Sequence, residues 1–261
     1  MSLALVDVLV LFGVGLAAGT LNVVAAGGSF LTLPVLIDLG LTATVANGTN
    51  RVGILCQNVV AVGRFRRAGL LDDALVAHLR AALPPALAGA VMGVGLALRV
   101  DPATFERFLA AMMVVFALIT LARRPAGPDA DGGSGVAGAS TAPARVGWTT
   151  QLGFFGAGVY GGFVQAGAGF LLLALASRCG LGIARGNALK VAVVLGFTVL
   201  SLALFAWGGA VAWLPGLALG AGFALGGALG ARFNVRAAER QLRAVVAVAL
   251  IVFAVRLLLR A

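Results

Sequence analysis

The sequence predicts an all-α integral membrane protein, because it is strongly apolar, nearly free of charge within its long apolar stretches, and punctuated by charged clusters between them. Its 261 residues are 61% hydrophobic and only 11% charged, whereas a soluble domain carries about 25% charged residues. A helix that crosses a bilayer needs roughly 20 apolar residues. The chain is therefore long enough for about eight transmembrane helices. We expect no cleavable signal sequence, because the first apolar stretch starts near Met1 without a basic region.

The apolar stretches fall into two halves, residues 1–122 and 148–261. The segment between them, 123–147, is rich in Gly, Pro, Ala and Ser and predicts a flexible linker. The apolar stretches cover residues 3–20, 21–37, 43–63, 75–98, 104–122, 148–177, 186–207, 211–231 and 242–259.

The two halves repeat each other at an offset of 140 residues. Residues 26–47 align without gaps to 166–187, with eight identities in 22 positions. Matches of Leu and Ala carry little weight in so apolar a chain, but Gly, Phe and Asn also match in register. The sequence therefore predicts two homologous halves, each forming one transmembrane repeat.

The first segment of each half is predicted to be a broken helix. Residues 19–34 and 158–170 are Gly-rich and polar, and Pro34 lacks a backbone donor. Irregular backbone at membrane depth persists only where protein or a watery cavity satisfies it. Matched breaks in two repeats point to a transporter's binding site. The alternative, close helix packing through small residues, is compatible with that interpretation.

Loop charge tests whether these first segments cross the membrane. If each crosses once, the basic residues outside the helices divide evenly between the two sides. If each enters and returns, 13 lie on one side and four on the other, the bias that the positive-inside rule expects. We therefore predict re-entrant first segments and repeats inverted in the membrane, although hydropathy alone favours eight ordinary crossings.

Two cations within predicted helices, Arg51 and Lys190, mark the predicted site. Lys190 aligns with Asn50, beside Arg51. Ionisable groups inside a bilayer usually face an interior cavity, and the first turns of a helix favour anions. Arg51 would bind an oxyanion through two N–H groups and Lys190 as a point charge. The alternative is that both side chains snorkel to the interface. The predicted substrate-binding residues are Arg51, Lys190, Asn22, Asn47, Asn50, Gln57, Gln165 and Asn187.

Other functions lack the residues that they need. The basic residues lie mostly between apolar stretches, as cytoplasmic anchors do, so the net charge of +10 does not indicate nucleic acid. Cys56 and Cys179 have no paired spacing. The chain has one His and none of the Gly-x-Ser-x-Gly, His-Glu-x-x-His or nucleotide-loop motifs. We expect no enzyme, no metal and no cofactor.

Residues 153–191 (GFFGAGVYGGFVQAGAGFLLLALASRCGLGIARGNALKV) resemble the second-half signature of the TauE/SafE sulfite exporter family, also called the toluene-sulfonate uptake permease family. Residues 205–231 fit the same pattern, and 19–51 match its Gly-rich first half. Two departures are Gly27-Gly28-Ser29, where three Gly are common, and Asn-Gly-Thr-Asn at 47–50, where Ala-Thr-Ser is common.

The resemblance implies a multi-pass transporter of the bacterial inner membrane, expected to export small anions such as sulfite, sulfonates or related organic acids. The expected partners are a small anionic substrate and the lipid bilayer. A non-transporting scaffold and an anion channel are the alternatives. The exact substrate, the coupling ion and the oligomeric state, including a homo-oligomer, stay open.

Overall fold

The described part of the chain consists of helices joined by short turns. It comprises residues 4–25, 28–122, 147–230, 251–253 and 255–256 of a computed structural model. The predicted linker lies outside these residues except for Gly147, as does most of the last apolar stretch, 242–259. The helices are α1 (Leu5–Ala25), α2 (Ser29–Asp38), α3 (Ala43–Arg67), α4 (Asp73–Ala97), α5 (Pro102–Ala122), α6 (Trp148–Phe163), α7 (Ala168–Arg178), α8 (Ile183–Trp207) and α9 (Trp213–Gly230).

The repeat found in the sequence is also a structural repeat. Helices α3 and α8 begin and end at positions that differ by 140 residues. The turns that follow α2 and α7 contain Gly40 and Gly180 at φ 89° and 75°, and those that follow α3 and α8 contain Gly69 and Gly209 at φ 70° and 67°. Left-handed glycines commonly end helices because they carry no β-carbon. The same turn chemistry thus recurs in both halves.

The first segment of each half is a broken helix that folds back on itself. In the second half, a β-carbon at Gly153 would lie 2.5 Å from Leu175 Cδ2, so α7 returns along α6. In the first half, a β-carbon at Gly28 would lie 2.0 Å from the carbonyl oxygen of Ala18. The start of α2 therefore lies beside a residue about two helical turns before the end of α1, so the chain reverses direction between the two helices. This is the hairpin geometry that the loop charges predicted.

Equivalent helices of the two repeats run in opposite directions. Gly48, near the start of α3, abuts Phe205 and Ala210 at the end of α8. At the other end, Arg64 of α3 and Ala184 of α8 line the same cavity. Helices α3 and α8 are therefore antiparallel, as the predicted inversion of the repeats requires.

Glycines allow helices of different repeats to pack backbone against backbone. In α4, β-carbons at Gly89 and Gly93 would lie 2.1 Å from the carbonyl oxygens of Phe155 and Val159 in α6. The equivalent pair, α1 and α9, approaches through Gly15, Gly19, Gly222 and Gly226. Small residues permit such close contact between membrane helices. The glycine-rich segments therefore serve packing as well as the helix breaks.

The bundle has two ends of different chemistry. At the arginine-rich face, α3 ends and α4 and α8 begin, and its cations include Arg64, Arg66, Arg67, Arg178 and Arg185. At the opposite face, Trp207 and Trp213 are exposed, as expected of aromatic anchors at a membrane interface. The described cations thus sort as the re-entrant prediction places them.

Three described helical segments are long and apolar enough to cross a membrane: Leu5–Asn22, Asp73–Ala97 and Ile183–Trp207. Shorter apolar helices are Ser29–Asp38, Ala168–Arg178 and Trp213–Leu229. The chain is therefore an all-α membrane protein, and the count of about eight crossings stays a prediction.

Candidate functional site: a cavity at the arginine-rich end

A cavity of about 330 Å³ lies between the second half of α3 and the first turns of α8. The end of α1, the end of α9 and the break between α6 and α7 complete its wall. It extends from the middle of the bundle towards the arginine-rich face, where Arg64 and Ala184 line it. Five of the eight predicted site residues line this cavity: Asn22, Gln57, Gln165, Asn187 and Lys190.

Lys190 is the cation in the deeper part of the cavity. It lies one turn after Asn187 on α8, and its Nζ donates a hydrogen bond to Asn187 Oδ1 at 2.9 Å. An ammonium has three donors, and this contact uses one of them. The site's wall therefore presents positive charge with donor capacity to spare.

Asn22 and Gln57 hold the first helix break in place. Asn22 Oδ1 accepts from the backbone N–H of Gly28 at 2.8 Å, and Asn22 Nδ2 donates to Gln57 Oε1 at 3.0 Å. Gln57 Nε2 in turn donates to the carbonyl oxygen of Gly19 at 3.1 Å. The bond to Gly28 satisfies a backbone donor that the break exposes at the start of α2, and the three bonds together fix the wall of the cavity.

The starts of both half-helices, α2 and α7, face the cavity. Ser29 lines it from α2, and Gly167, Ala168 and Gly169 line it from α7. The first N–H groups of a helix have no partner within that helix, and its dipole makes that end positive. Together with Lys190, these helix ends give the cavity a positive potential.

Arg51 lies outside the cavity lining, and its role as a substrate ligand stays a prediction. The side chain is fully buried. Its Nη1 donates to the carbonyl oxygen of Gly161 at 3.1 Å and to Gln165 Oε1 at 2.9 Å, and its Nη2 donates to the carbonyl oxygen of Gly162 at 2.5 Å. The two N–H groups expected to bind an oxyanion instead cap the last carbonyls of α6.

Gln165 connects Arg51 to the cavity. Its φ of 65° is the only positive value among the described non-glycine residues, and such a conformation costs energy unless the surroundings enforce it. Arg51 binds its amide oxygen, and its Nε2 donates to Thr198 Oγ1 at 2.5 Å. The second helix break is therefore held by α3 and α8 together.

Asn47 and Asn50 also lie outside the cavity, near the opposite face. Asn47 Nδ2 donates to the carbonyl oxygen of Phe163, the last residue of α6, at 2.6 Å. Asn50 Oδ1 accepts from Thr32 Oγ1 at 2.6 Å. Both asparagines are fully buried. The structure therefore separates the predicted residues into a cavity group and a closed group.

Three polar residues of the cavity wall, Ser29, Asn58 and Arg64, are missing from the predicted site. Arg64 lies at the end of α3, lines the cavity, and donates from its Nη1 to the carbonyl oxygen of Ala228 at 3.0 Å. Asn58 lines the cavity from the same helix, about two turns beyond Arg51. The spacing along α3 could have indicated Arg64, because Gln57, Ala61 and Arg64 lie on one face of the helix.

No carboxylate lines this cavity among the described residues. Nor do those residues include a group of three or more His, Cys, Asp or Glu side chains that could hold a metal ion. Outside the membrane helices, Asp72 caps α4 and pairs with Arg185. The N–H of Leu75 and the Arg185 guanidinium hold the pKa of Asp72 below its usual value. The carboxylates of the described residues thus lie towards the ends of the helices.

The inverted repeats, the paired helix breaks and the cavity between them define a multi-pass membrane transporter. The chain belongs to the sulfite exporter TauE/SafE family, whose model matches residues 11–257. No solved structure gives a significant match.

The chain is similar over nearly its whole length to proteins named as probable membrane transporters. One, ORF9 of Sinorhizobium sp, is 28% identical over 252 residues, which cover 95% of this chain and 91% of the relative. One of Haemophilus influenzae is 29% identical, covering 92% and 89%. YfcA of Escherichia coli K12 is 25% identical, covering 95% and 88%.

Proposed function

We propose that this protein is a carrier that exports small oxyanions, sulfite and organosulfonates among them, across the bacterial inner membrane. The observation that carries the proposal is a cavity that joins Lys190 and two half-helix N-termini and that has no carboxylate among its described lining residues. Such a site favours a negatively charged ligand over a cation or a neutral one.

The binding chemistry follows from the donors around the cavity. Lys190 acts as a point charge, and Asn187 orients it through their hydrogen bond. The N–H groups of Ala168 and Phe170 already donate to the carbonyl oxygens of Gln165 and Gly167, so the start of α7 contributes mainly the positive end of its helix dipole and the N–H of Gly169. An oxyanion with several oxygens accepts from Lys190 and from this N–H at once, whereas a halide has no separate acceptor atoms for them.

The apolar part of the cavity wall can accommodate a small organic group of the substrate. Ile54, Val191 and Val194 line the cavity beside the polar groups. A cavity of about 330 Å³ is at the small end of the range for ligand sites. We infer that the substrate is a compact acid with at most a short apolar body.

The proposed direction, export, is supported by the face to which the cavity extends. The arginine-rich face is cytoplasmic by the positive-inside rule, and Arg64 and Ala184 line the cavity there. A substrate would therefore load from the cytoplasm, which agrees with the name of the family. With this orientation, the location that we propose is the bacterial inner membrane.

A channel is a weaker candidate than a carrier. The Arg51 contacts with Gly161, Gly162 and Gln165 close the bundle between the cavity and the opposite face. A continuous pore requires an open path through both faces, whereas a carrier exposes its site to one face at a time.

A binding titration on purified protein tests the proposal. We expect sulfite or a sulfonate to raise the unfolding temperature of the wild type in a saturable way, and Lys190→Gln to abolish that shift. Arg66→Gln is the matched control, because Arg66 is an exposed cation on α3. The proposal is wrong if no oxyanion tested shifts the wild type, or if Lys190→Gln responds as the wild type does.

A further inference from the structure

The closed group near the opposite face consists of Asn47, Asn50 and Arg51 of α3 together with Thr198 and Ser201 of α8, and it contains buried polar atoms that have no hydrogen-bond partner. They are Asn47 Oδ1, Asn50 Nδ2, Arg51 Nε and Ser201 Oγ. All four residues are fully buried. Buried polar groups in proteins are nearly always paired, and an unpaired group calls for an explanation.

The residues that carry these atoms lie on α3 and α8, where the two helices contact each other at Gly48 and Phe205. The Arg51 guanidinium carbon is 4.6 Å from the centre of the Phe205 ring, and Arg51 is linked through Gln165 to Thr198. Ser201 lies between Thr198 and Phe205 on the same face of α8, three and four residues from them. Asn47 and Asn50 precede Arg51 on α3 by four residues and by one residue. The residues with unpaired atoms thus belong to two neighbouring stretches, 47–51 of α3 and 198–205 of α8.

The closed group is the counterpart of the open cavity in the other repeat, because a shift of 140 residues relates the positions of the two. Val191, the equivalent of Arg51, lines the cavity. Four other members of the closed group have cavity-lining or cavity-facing equivalents at the same offset of 140 residues. The pairs are Asn47 with Asn187, Asn50 with Lys190, Thr198 with Asn58 and Ser201 with Ala61.

We propose that the closed group is a second anion subsite, which takes the transported oxyanion when the protein opens towards the opposite face. The proposal rests on the proposed function. The subsite would offer three donors, Arg51 Nε, Asn50 Nδ2 and Ser201 Oγ, and one acceptor, Asn47 Oδ1. A small oxyanion of single charge fits these groups, because the one cation, Arg51, balances its charge.

Arg51 has a different partner in each state under this proposal. In the closed arrangement its Nη atoms bind the end of α6 and Gln165. As the α6–α7 hairpin moves away from α3, these N–H groups are released and become available to the anion. Gln165, which lines the cavity and also binds Arg51, lies between the two subsites and is the residue that both share.

The first test measures sulfite uptake into inverted and right-side-out membrane vesicles. Ser201→Ala removes a hydroxyl that has no partner in the closed arrangement, so folding should be unaffected. We expect it to raise the half-saturating sulfite concentration at the opposite face by about fivefold or more, while that at the arginine-rich face changes less than about twofold. Ser177→Ala, an exposed serine on α7, is the control.

An equal change at both faces, or no change at either, would overturn the second subsite and leave the proposed function standing. If wild-type vesicles take up no sulfite from either face, export of sulfite itself fails. The second test does not depend on sulfite transport.

The second test labels single cysteines in a chain in which Cys56 and Cys179 are replaced by Ala. A membrane-impermeant, anionic methanethiosulfonate should modify Ser201→Cys from the opposite face only. It should modify the equivalent variant, Ala61→Cys, from the arginine-rich face, because Ala61 lines the open cavity. Failure of Ser201→Cys to react from the opposite face, or its reaction from the arginine-rich face, would overturn the inference.

Discussion

Arg51 is expected to contribute more to the stability of the bundle than any exposed arginine on the same helix. Its guanidinium makes three hydrogen bonds to Gly161, Gly162 and Gln165, at 3.1, 2.5 and 2.9 Å. Interhelical hydrogen bonds in membrane proteins contribute about 0.6 kcal/mol each on average and up to about 1.7 kcal/mol. Replacing Arg51 by Met should therefore lower the free energy of unfolding by about 2–5 kcal/mol.

The assay is reversible unfolding in mixed detergent micelles, followed by helicity. Arg66→Met is the control, and because Arg66 is exposed at the end of α3 it should change stability by no more than about 0.5 kcal/mol. Arg51→Lys should fall between the two, since an ammonium cannot span three acceptors in a fixed fork. An Arg51→Met protein as stable as Arg66→Met would refute the stabilising role of the Arg51 hydrogen bonds.

Three further outcomes are expected. Gly93→Ala should destabilise the α4–α6 contact by about 1–3 kcal/mol, because its β-carbon would lie 2.1 Å from the Val159 carbonyl oxygen, whereas Gly95→Ala meets nothing within 4 Å; equal unfolding free energies for the two variants would contradict the packing. Because the pKa of Asp72 is lowered, its carboxylate stabilises the fold above the ordinary Asp pKa, and this stabilisation is lost as pH falls through the lowered value. The unfolding temperatures of the wild type and of Asp72→Asn should therefore differ at pH 7 and converge in acid. A difference that persists in acid would contradict this. A reporter fused after Gly40 should lie outside the cytoplasm and one within 123–147 inside it; a cytoplasmic signal after Gly40 would refute the re-entrant hairpin.

The repeat and its inversion could be predicted because they leave signals in the sequence itself. Gly40 and Gly180 match in register and share a left-handed backbone. The loop arginines sort to one side only if the first segments fold back, and Gly153 against Leu175 shows that fold-back. Composition and loop charge are summed over many residues, so a wrong assignment of one residue does not change the predicted topology.

The division of the polar residues into two groups could not be predicted from the sequence. Arg51 binds backbone carbonyls 110 and 111 residues away, and a carbonyl at the end of a helix has no side-chain signature. Arg64 resembles an interfacial anchor in a hydropathy profile because it lies at a helix end. Only the antiparallel packing of α3 and α8 places it beside Lys190's cavity.

Counterflow of radiolabelled sulfite in proteoliposomes tests the central claim most directly. Vesicles preloaded with unlabelled sulfite should accumulate labelled sulfite transiently through the wild type and through Arg66→Gln. Lys190→Gln should show no accumulation above protein-free liposomes, although it is folded in detergent. Undiminished counterflow through Lys190→Gln would remove the cavity at the arginine-rich face from the transport path and contradict the account.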